Sequence, residues 1–426
     1  MTADDPLEAW LAWQEQLHPR PIELGLERVA AVWARLESPP CAAPIITVGG
    51  TNGKGSCVAY LEAIYGAAGY RTASYTSPHL LRYTERIRLA GTEVSETALC
   101  AAFARVDQAR AATSLTYFEF GTLAAVDLFV RADPDVILLE VGLGGRLDAV
   151  NLWSADVAII TNIGHDHQAW LGNDLETIGR EKAGIMRPGR PVILGQRQPP
   201  LSLRTHADQL GAPVLQLGQE FDYQVMGNEW MLTAPHGTQQ LALPTLRGGF
   251  QLDNAAAVWC AIGCLQSRLP VTTAALNQGL TSASLPGRFQ HLPGAPSWII
   301  DVAHNQESAL ALAENLRTLK ISGQRHAVCA ILNDKDPAAI VKPLLALIDH
   351  WHLGTLDSPR AYPAAALAND LQALGVAPER IQVQAEVTAA LDHASALAQP
   401  ADQIVVTGSF LTVAAALRTR SAEFGI

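Results

Sequence analysis

The run Gly49-Gly50-Thr51-Asn52-Gly53-Lys54-Gly55-Ser56 is the part of this sequence best suited to chemistry. It follows the short, apolar, β-branched stretch Pro44–Val48 and precedes SCVAYLEAIYGAAG, whose apolar residues recur at helical spacing. A glycine-rich turn between a strand and a helix brings backbone N–H groups up to phosphate oxygens, and the helix N-terminus adds a favourable field. Lys54 is placed to reach the outer phosphates. The match to GxxxxGK[ST] is imperfect: Val48 stands at the first glycine position, and Gly55 separates Lys54 from Ser56. By itself the run specifies a nucleoside triphosphate and nothing finer.

Other polar groups have two readings each. Glu140 ends the apolar run Val136–Leu139, where a bare carboxylate is costly without a partner; a cation or a salt bridge would each supply one. Ser77, before Pro78, reads alone as a turn hydroxyl, and His167 alone as a satisfied structural histidine. Lys182, with Arg180 and Arg187 nearby, reads alone as a solvated helix lysine. Cys41, Cys57, Cys100, Cys260, Cys264 and Cys329 lack close metal-ligand spacing and are expected to be reduced thiols.

The elements that must position these groups alternate. YRTASYTS near Tyr70, DVILLEVGLGG from Asp135 and DVAIITNIG from Asp156 are apolar runs ending in glycine or polar residues, with helical stretches between several of them. The pattern predicts an α/β fold, a doubly wound, mainly parallel sheet whose ligands lie beyond the carboxyl ends of the strands. From about Leu217 to Leu246 short alternating strands suggest a small antiparallel appendage, and a helix is expected over Asn254–Leu265. The Pro/Gly-rich stretch Leu285–Pro296 is the candidate linker. SWIIDVA, HAVCAIL and DQIVVTGS then read as strands of a smaller, Rossmann-like α/β domain. The expected division is 1–287 for the P-loop domain, 288–296 for the linker and 297–426 for the C-terminal domain.

Composition bounds the functional class. Apolar residues make up 49% and charged residues 17%, which suits folded cores rather than disorder. A net charge of -11 disfavours nucleic-acid binding. No run approaches a membrane span, and the acidic start MTADDPLEAW is not a secretory signal, so a soluble cytoplasmic protein is expected.

GTNGKGS resembles the shortened phosphate loop of the Mur ligase and folylpolyglutamate synthase superfamily. Further segments resemble its folate branch in order: Tyr75-Thr76-Ser77-Pro78-His79-Leu80, Glu140–Ala149, Asp166-His167, Gly179–Ile185, Pro286-Gly287-Arg288-Phe289 and Asp301-Val302-Ala303-His304-Asn305. Pro21–Arg28 and Thr116–Thr122 are similar to segments of the bacterial bifunctional dihydrofolate synthase/folylpolyglutamate synthases. Wall-building Mur ligases place a nucleotide-sugar domain ahead of the loop, and too few residues precede Gly49 for one.

The resemblance implies an ATP-dependent ligase that joins L-glutamate to 7,8-dihydropteroate, to tetrahydrofolate, or to both, through an acyl phosphate. ATP, the co-substrate, would meet Thr51, Asn52, Gly53, Lys54, Gly55, Ser56, Asn254, Arg288 and Asp301, clamped between domains. Two Mg²⁺ ions would be held by Ser77, Glu140, His167 and Lys182, the last carbamylated. Thr116, Tyr117, Phe118, Glu119, Leu147, Asp148 and Ala149 would line the acceptor pocket. His304 and Ser409 would handle glutamate; Gln306 stands where many relatives carry proline. Arg82, Arg86 and Arg88 are either solvated charges or an attraction for anionic glutamate tails. Small-molecule partners and a monomer are expected, without nucleic acid or membrane. Another amino-acid ligase, a nucleotide switch and an inactive scaffold are the competing readings; no guanine-reading NKxD motif accompanies the loop.

Overall fold

The computed structural model describes residues 1–166 and 168–420. His167, one of the expected metal ligands, lies outside the described residues. Two compact units divide the chain: residues 1–245 with 251–283, and residues 246–250 with 284 onward.

The first unit is built on an eight-stranded sheet. Its strands are β1 (Ile45–Gly49), β2 (Thr72–Tyr75), β3 (Ile87–Leu89), β4 (Thr92–Glu93), β5 (Val136–Glu140), β6 (Val157–Ile160), β7 (Val192–Leu194) and β8 (Val214–Gln216). Their order across the sheet is β4-β3-β2-β5-β1-β6-β7-β8. All neighbours from β2 to β8 are parallel, whereas β3 and β4 run antiparallel at one edge. Every residue of β2, β5 and β6 is buried, which explains the apolar runs Val136–Leu139 and Val157–Ile160. The register sets Val48 abreast of Glu140 and Gly49 abreast of Ile160. The carboxyl ends of β1, β5 and β6 therefore emerge side by side.

The expected appendage is a three-stranded antiparallel sheet of β9 (Asp222–Met226), β10 (Glu229–Ala234) and β11 (Gly237–Ala242). It is pinned to the helix Gly249–Cys264 by Trp259, whose Nε1 donates to Gln239 (2.9 Å) and whose ring meets His236. That helix begins at Gly249, so Asn254 lies in its second turn and not at its start. The apolar periodicity becomes visible only past the Gly-Gly pair at 248–249, which hides the true start.

The second unit carries β12 (Gln290–Leu292), β13 (Ser297–Ile300), β14 (Arg325–Cys329), β15 (His350–Thr355), β16 (Ile381–Glu386) and β17 (Gln403–Thr407), in the order β12-β13-β17-β14-β15-β16. All pairings are parallel except β12 with β13. The stretch 288–296, expected as a linker, thus holds an edge strand of this sheet. An edge strand needs only one hydrogen-bonded side, so its prolines and glycine at positions 293, 294 and 296 sit just past its end without breaking a ladder. Among the described residues, no helix is long and apolar enough to cross a membrane.

Candidate active site

In the first unit the glycine-rich loop leaves β1 and runs into the helix Lys54–Ala67, with Gly53 as its N-cap at φ +86°. A side chain at Gly53 would strike the Asn254 amide at 2.5 Å, and one at Gly50 would collide with Thr161 Oγ1. Both glycines are required by close approach as well as by backbone conformation. The loop after β6 braces this turn. Thr51 N donates to the Asn162 carbonyl (2.9 Å), Asn52 N to Asn162 Oδ1 (2.8 Å), and Thr161 Oγ1 to the Asn52 carbonyl (2.6 Å). Asn52, Gly53, Lys54 and Gly55 are only partly buried, whereas Thr51 and Ser56 are buried. Gln251 Nε2 donates to Ser56 Oγ (3.1 Å) and Asn254 Nδ2 to Gln251 Oε1 (3.2 Å). Two distant helices are thereby tied together under the phosphate loop. Gln251, Thr161 and Asn162 were not foreseen; the i,i+3 spacing of Gln251 and Asn254 is the one trace of the first in the sequence.

Lys54 Nζ donates to the carbonyls of Gly50 (3.1 Å) and Thr51 (3.0 Å). Lys182 Nζ donates to the same Gly50 carbonyl at 2.8 Å. Lys182 is buried in the last turn of the helix Leu175–Ala183, so the solvated reading of this lysine does not hold. Burial, then the nearby Lys54 charge, lowers its pKa to about 7, against the smaller opposing pull of Asp166 and Asp148. The helix is seated by contact with the turn after β5. Arg146 N donates to the Glu181 carbonyl (2.9 Å), and a Cβ at Gly184 would collide with Arg146.

Glu140 is buried at the end of β5, and its Oε2 accepts a hydrogen bond from Ser77 N at 3.0 Å. The structure thus joins Ser77 to Glu140, and Lys182 to the phosphate loop. Among the described residues no group of three or more His, Cys, Asp or Glu side chains is arranged to hold a metal ion. A buried carboxylate beside a serine and a phosphate loop nonetheless fits a hard cation whose remaining ligands are phosphate oxygens and water.

The acceptor candidates also converge. Thr116 caps the helix Tyr117–Ala132 reciprocally with Glu119, and the buried Glu119 accepts from Arg28 Nη2 (2.9 Å). Arg28 also donates to Glu23 Oε1 (2.5 Å), and Gly25 N donates to the Leu147 carbonyl (3.3 Å). These bonds bring the segments around 23–28, 116–119 and 147–149 to one place. Asp148, buried, accepts from Leu143 N (2.8 Å) and Val150 N (3.0 Å) and so closes its turn. Burial raises its pKa to about 6, against those backbone donors and Lys54. Ala149 is buried beside it, and Phe118 packs over Gly142 and near the Tyr75 ring (5.9 Å).

The three arginines after the TSPHL segment divide. Arg82 pairs with Glu93 (2.8 Å) and Arg88 with Glu62 (3.1 Å). Arg86 instead lies over the Tyr83 (5.0 Å) and Tyr117 (5.7 Å) rings and donates from Nε to His79 Nδ1 (2.8 Å).

In the second unit the candidates gather beyond β13 and β17. Asp301 is buried and accepts from Phe289 N and Ala303 N, both at 2.8 Å; burial raises its pKa, against the attraction of Arg288. Phe289, at φ +44°, is held in that strained conformation by this bond. Phe410 lies between Arg288 (5.3 Å) and the His304 ring (5.6 Å). His304 Nδ1–H donates to the Val302 carbonyl (2.9 Å), which fixes the ring. Ser409 is buried, and its hydroxyl caps the helix Phe410–Thr419 through Thr412. Gln306 opens the helix Gln306–Thr318 behind the Asn305 cap, a position that also accepts proline, so its identity leaves the local fold unchanged.

Comparisons with known proteins bear on the family and the fold. The Mur ligase middle domain matches residues 48–262, and the Mur ligase glutamate ligase domain matches residues 287–410. The dihydrofolate synthase/folylpolyglutamate synthase of Escherichia coli (strain K12) is 44% identical over 97% of this chain and 95% of its own length. The structure of E. coli FolC with DHPP and ADP matches with a TM-score of 0.93 and 42% identity, covering 99% of both chains. A bifunctional folylpolyglutamate synthase/dihydrofolate synthase with Mn, AMPPNP and L-glutamate bound matches at 0.91 and 42%, again covering 99% of both.

Proposed function

We infer the reaction of this chain from the fact that it belongs to the Mur ligase family, in its dihydrofolate synthase/folylpolyglutamate synthase branch. It is an ATP-dependent ligase that adds L-glutamate to 7,8-dihydropteroate and to the γ-carboxylate of tetrahydrofolates. The observation that carries this reading is the meeting of a glycine-rich phosphate loop, the buried Glu140 and the buried Lys182 beside three adjacent strand ends.

The chemistry runs in two transfers. An acceptor carboxylate oxygen attacks the γ-phosphorus of ATP, the bond to the bridging oxygen breaks, and ADP departs. The amine of glutamate then attacks the acyl carbon of the acyl phosphate, phosphate leaves, and the nitrogen gives up a proton. Thr51 to Ser56 cradle the phosphates, and Lys54 offsets their charge. Asn254, Arg288 and Asp301 contact the nucleotide, and His304 and Ser409 serve glutamate. Thr116 to Glu119 with Leu147 to Ala149 hold the acceptor, oriented by Arg28 through Glu119. Magnesium, two ions in this reading, would be held by Ser77, Glu140, His167 and carbamylated Lys182, and supplies positive charge against the phosphates. Carbamylation needs a neutral amine, which adds to CO₂ with loss of a proton; the low pKa of Lys182 supports it. In this reading the domain of residues 1–287 binds the ATP phosphates and the acceptor, that of residues 297–426 binds glutamate, and the enzyme works as a cytoplasmic monomer.

Phosphate release dependent on ATP and Mg²⁺, with L-glutamate and either 7,8-dihydropteroate or tetrahydrofolate, tests the assignment. Release with both, with a mass gain of one glutamyl unit, is expected. Release with one acceptor restricts the chain to a single step, and release with neither refutes the reading.

A further inference from the structure

A second polar cluster lies in the C-terminal unit, away from the strand ends just described. His326 on β14 and His352 on β15 are both buried, with Nδ1 of the first 3.1 Å from Nε2 of the second. His352 Nδ1 is in turn 3.1 Å from Nδ1 of His393, on the partly exposed face of the helix Val387–Leu397. At the other end His326 Nε2 is 3.4 Å from Asp402 Oδ2. His350 stacks on His326 (4.9 Å, 23°) and lies 3.1 Å from Gln324 Oε1. The remaining charges around the cluster are Asp349, whose carboxylate accepts from Arg325 N, Arg325 on the opposite face of β14, and the Asp392–Arg420 pair.

The proton count of this chain is fixed by its geometry. A carboxylate only accepts, so His326 must carry its proton on Nε2. A neutral His326 then accepts at Nδ1 from His352 Nε2–H, and His352 accepts at Nδ1 from His393 Nδ1–H. Three neutral rings supply one proton to each of three hydrogen bonds. One further proton, added at His393 Nε2, can be passed inward by moving one proton across each N···N contact. All three bonds survive, the tautomers of His352 and His393 invert, and the charge lodges on His326, now protonated on both nitrogens, between Asp402 and the stacked His350. A second added proton finds every ring nitrogen of the three either protonated or already accepting, so it can bind a ring only by breaking one of these hydrogen bonds.

We propose that Asp402, His326, His352 and His393 form a buried one-proton relay that makes the fold of the C-terminal unit sensitive to acid. Burial first, and the neighbouring histidines second, lower the pKa of His352 to about 3 and of His326 below its ordinary 6.5, against the pull of Asp402 on His326. A base held below its unfolded value favours folding above that value, and this contribution is lost as pH falls through about 6.5 towards 3. Asp402 also accepts from Gln324 N (2.7 Å) and Gln399 N (2.6 Å), so a disturbed relay loosens the approaches to β14 and β17.

Two measurements on the full chain test the relay. In nitrogen-resolved NMR of the imidazoles near pH 7.5, His326 and His352 should be Nε2–H tautomers and His393 the rarer Nδ1–H tautomer; an Nε2–H tautomer at His393 overturns the proposal. In urea denaturation between pH 7.5 and 5.5, His352→Leu should take up about one proton fewer on unfolding than the parent, with kcat at neutral pH unchanged. Parallel pH profiles for parent and variant would likewise overturn it, and the tautomer readout stands even where the variant does not fold.

Discussion

Lys54 and Lys182, far apart in sequence, donate to one and the same carbonyl oxygen, that of Gly50, at 3.1 and 2.8 Å. Two ammonium groups on one acceptor repel each other, and only one of them can approach water. The buried member of the pair is therefore the one that loses its proton most readily.

Lys182→Met should abolish turnover yet, in CO₂-free buffer where the lysine is not carbamylated, raise stability at pH 7 by about 1–3 kcal/mol, because it removes a buried cation. The sign follows from linkage. With a folded pKa near 7 against an ordinary 10.5, the lysine costs the fold most below pH 7, and the cost fades as pH rises towards 10.5. Urea denaturation at pH 7 and pH 9.5 checks this: the gap between variant and parent should narrow at the higher pH.

Glu140→Ala should lower kcat by about 10²-fold or more while the chain stays folded. The Ser77 amide loses its acceptor, so a stability loss of about 1–2 kcal/mol is expected as well. Circular dichroism beside the phosphate-release assay separates the two effects, and retained turnover would remove Glu140 from the site.

Gly53→Ala combines a disfavoured backbone conformation with a clash against Asn254. The left-handed turn alone costs about 1–2 kcal/mol. Weaker nucleotide binding, by about 10-fold or more, is expected in a fluorescent-ADP titration. The control is Gly66→Ala on the same helix, where an added Cβ meets nothing within 4 Å and binding should match the parent.

Arg86→Gln should raise the KM for the folate acceptor by about 10-fold or more and leave the KM for ATP unchanged, consistent with a charge-assisted contact worth about 1.5–3 kcal/mol. Arg82→Gln, which only breaks an exposed pair with Glu93, should change neither constant and cost at most about 1 kcal/mol. Steady-state kinetics on both variants, with each acceptor, decide whether Arg86 faces the substrate.

The strands that carry the site were legible because both faces of a central parallel sheet are buried, which leaves apolar runs such as Val136–Leu139 with a polar residue at the end. The phosphate loop was legible because glycine is nearly obligatory where a backbone turns left-handed against a neighbour. Lys182 was not: nothing local distinguishes a buried helix lysine from a solvated one, and its burial depends on the turn at Arg146. Gln251 and Thr161 escaped for the same reason, since their roles are contacts across the fold. The strand Gln290–Leu292 was hidden by its flanking prolines and glycines, which an edge position tolerates. The Ser409 hydroxyl also caps a helix, a use the sequence shows only when the helix start is known.

The five residues Leu246–Phe250 belong with the C-terminal unit although the chain on either side belongs with the first. The polypeptide therefore changes allegiance three times, and neither unit is a contiguous stretch of gene. A chimera spliced once, at the Pro/Gly-rich segment after Ala283, would inherit that short segment from the wrong parent, including Gly248 where it lies against Asn315. Exchange of specificity between relatives by single-point recombination is accordingly harder here than two tidy family modules suggest, and grafts should carry both pieces together.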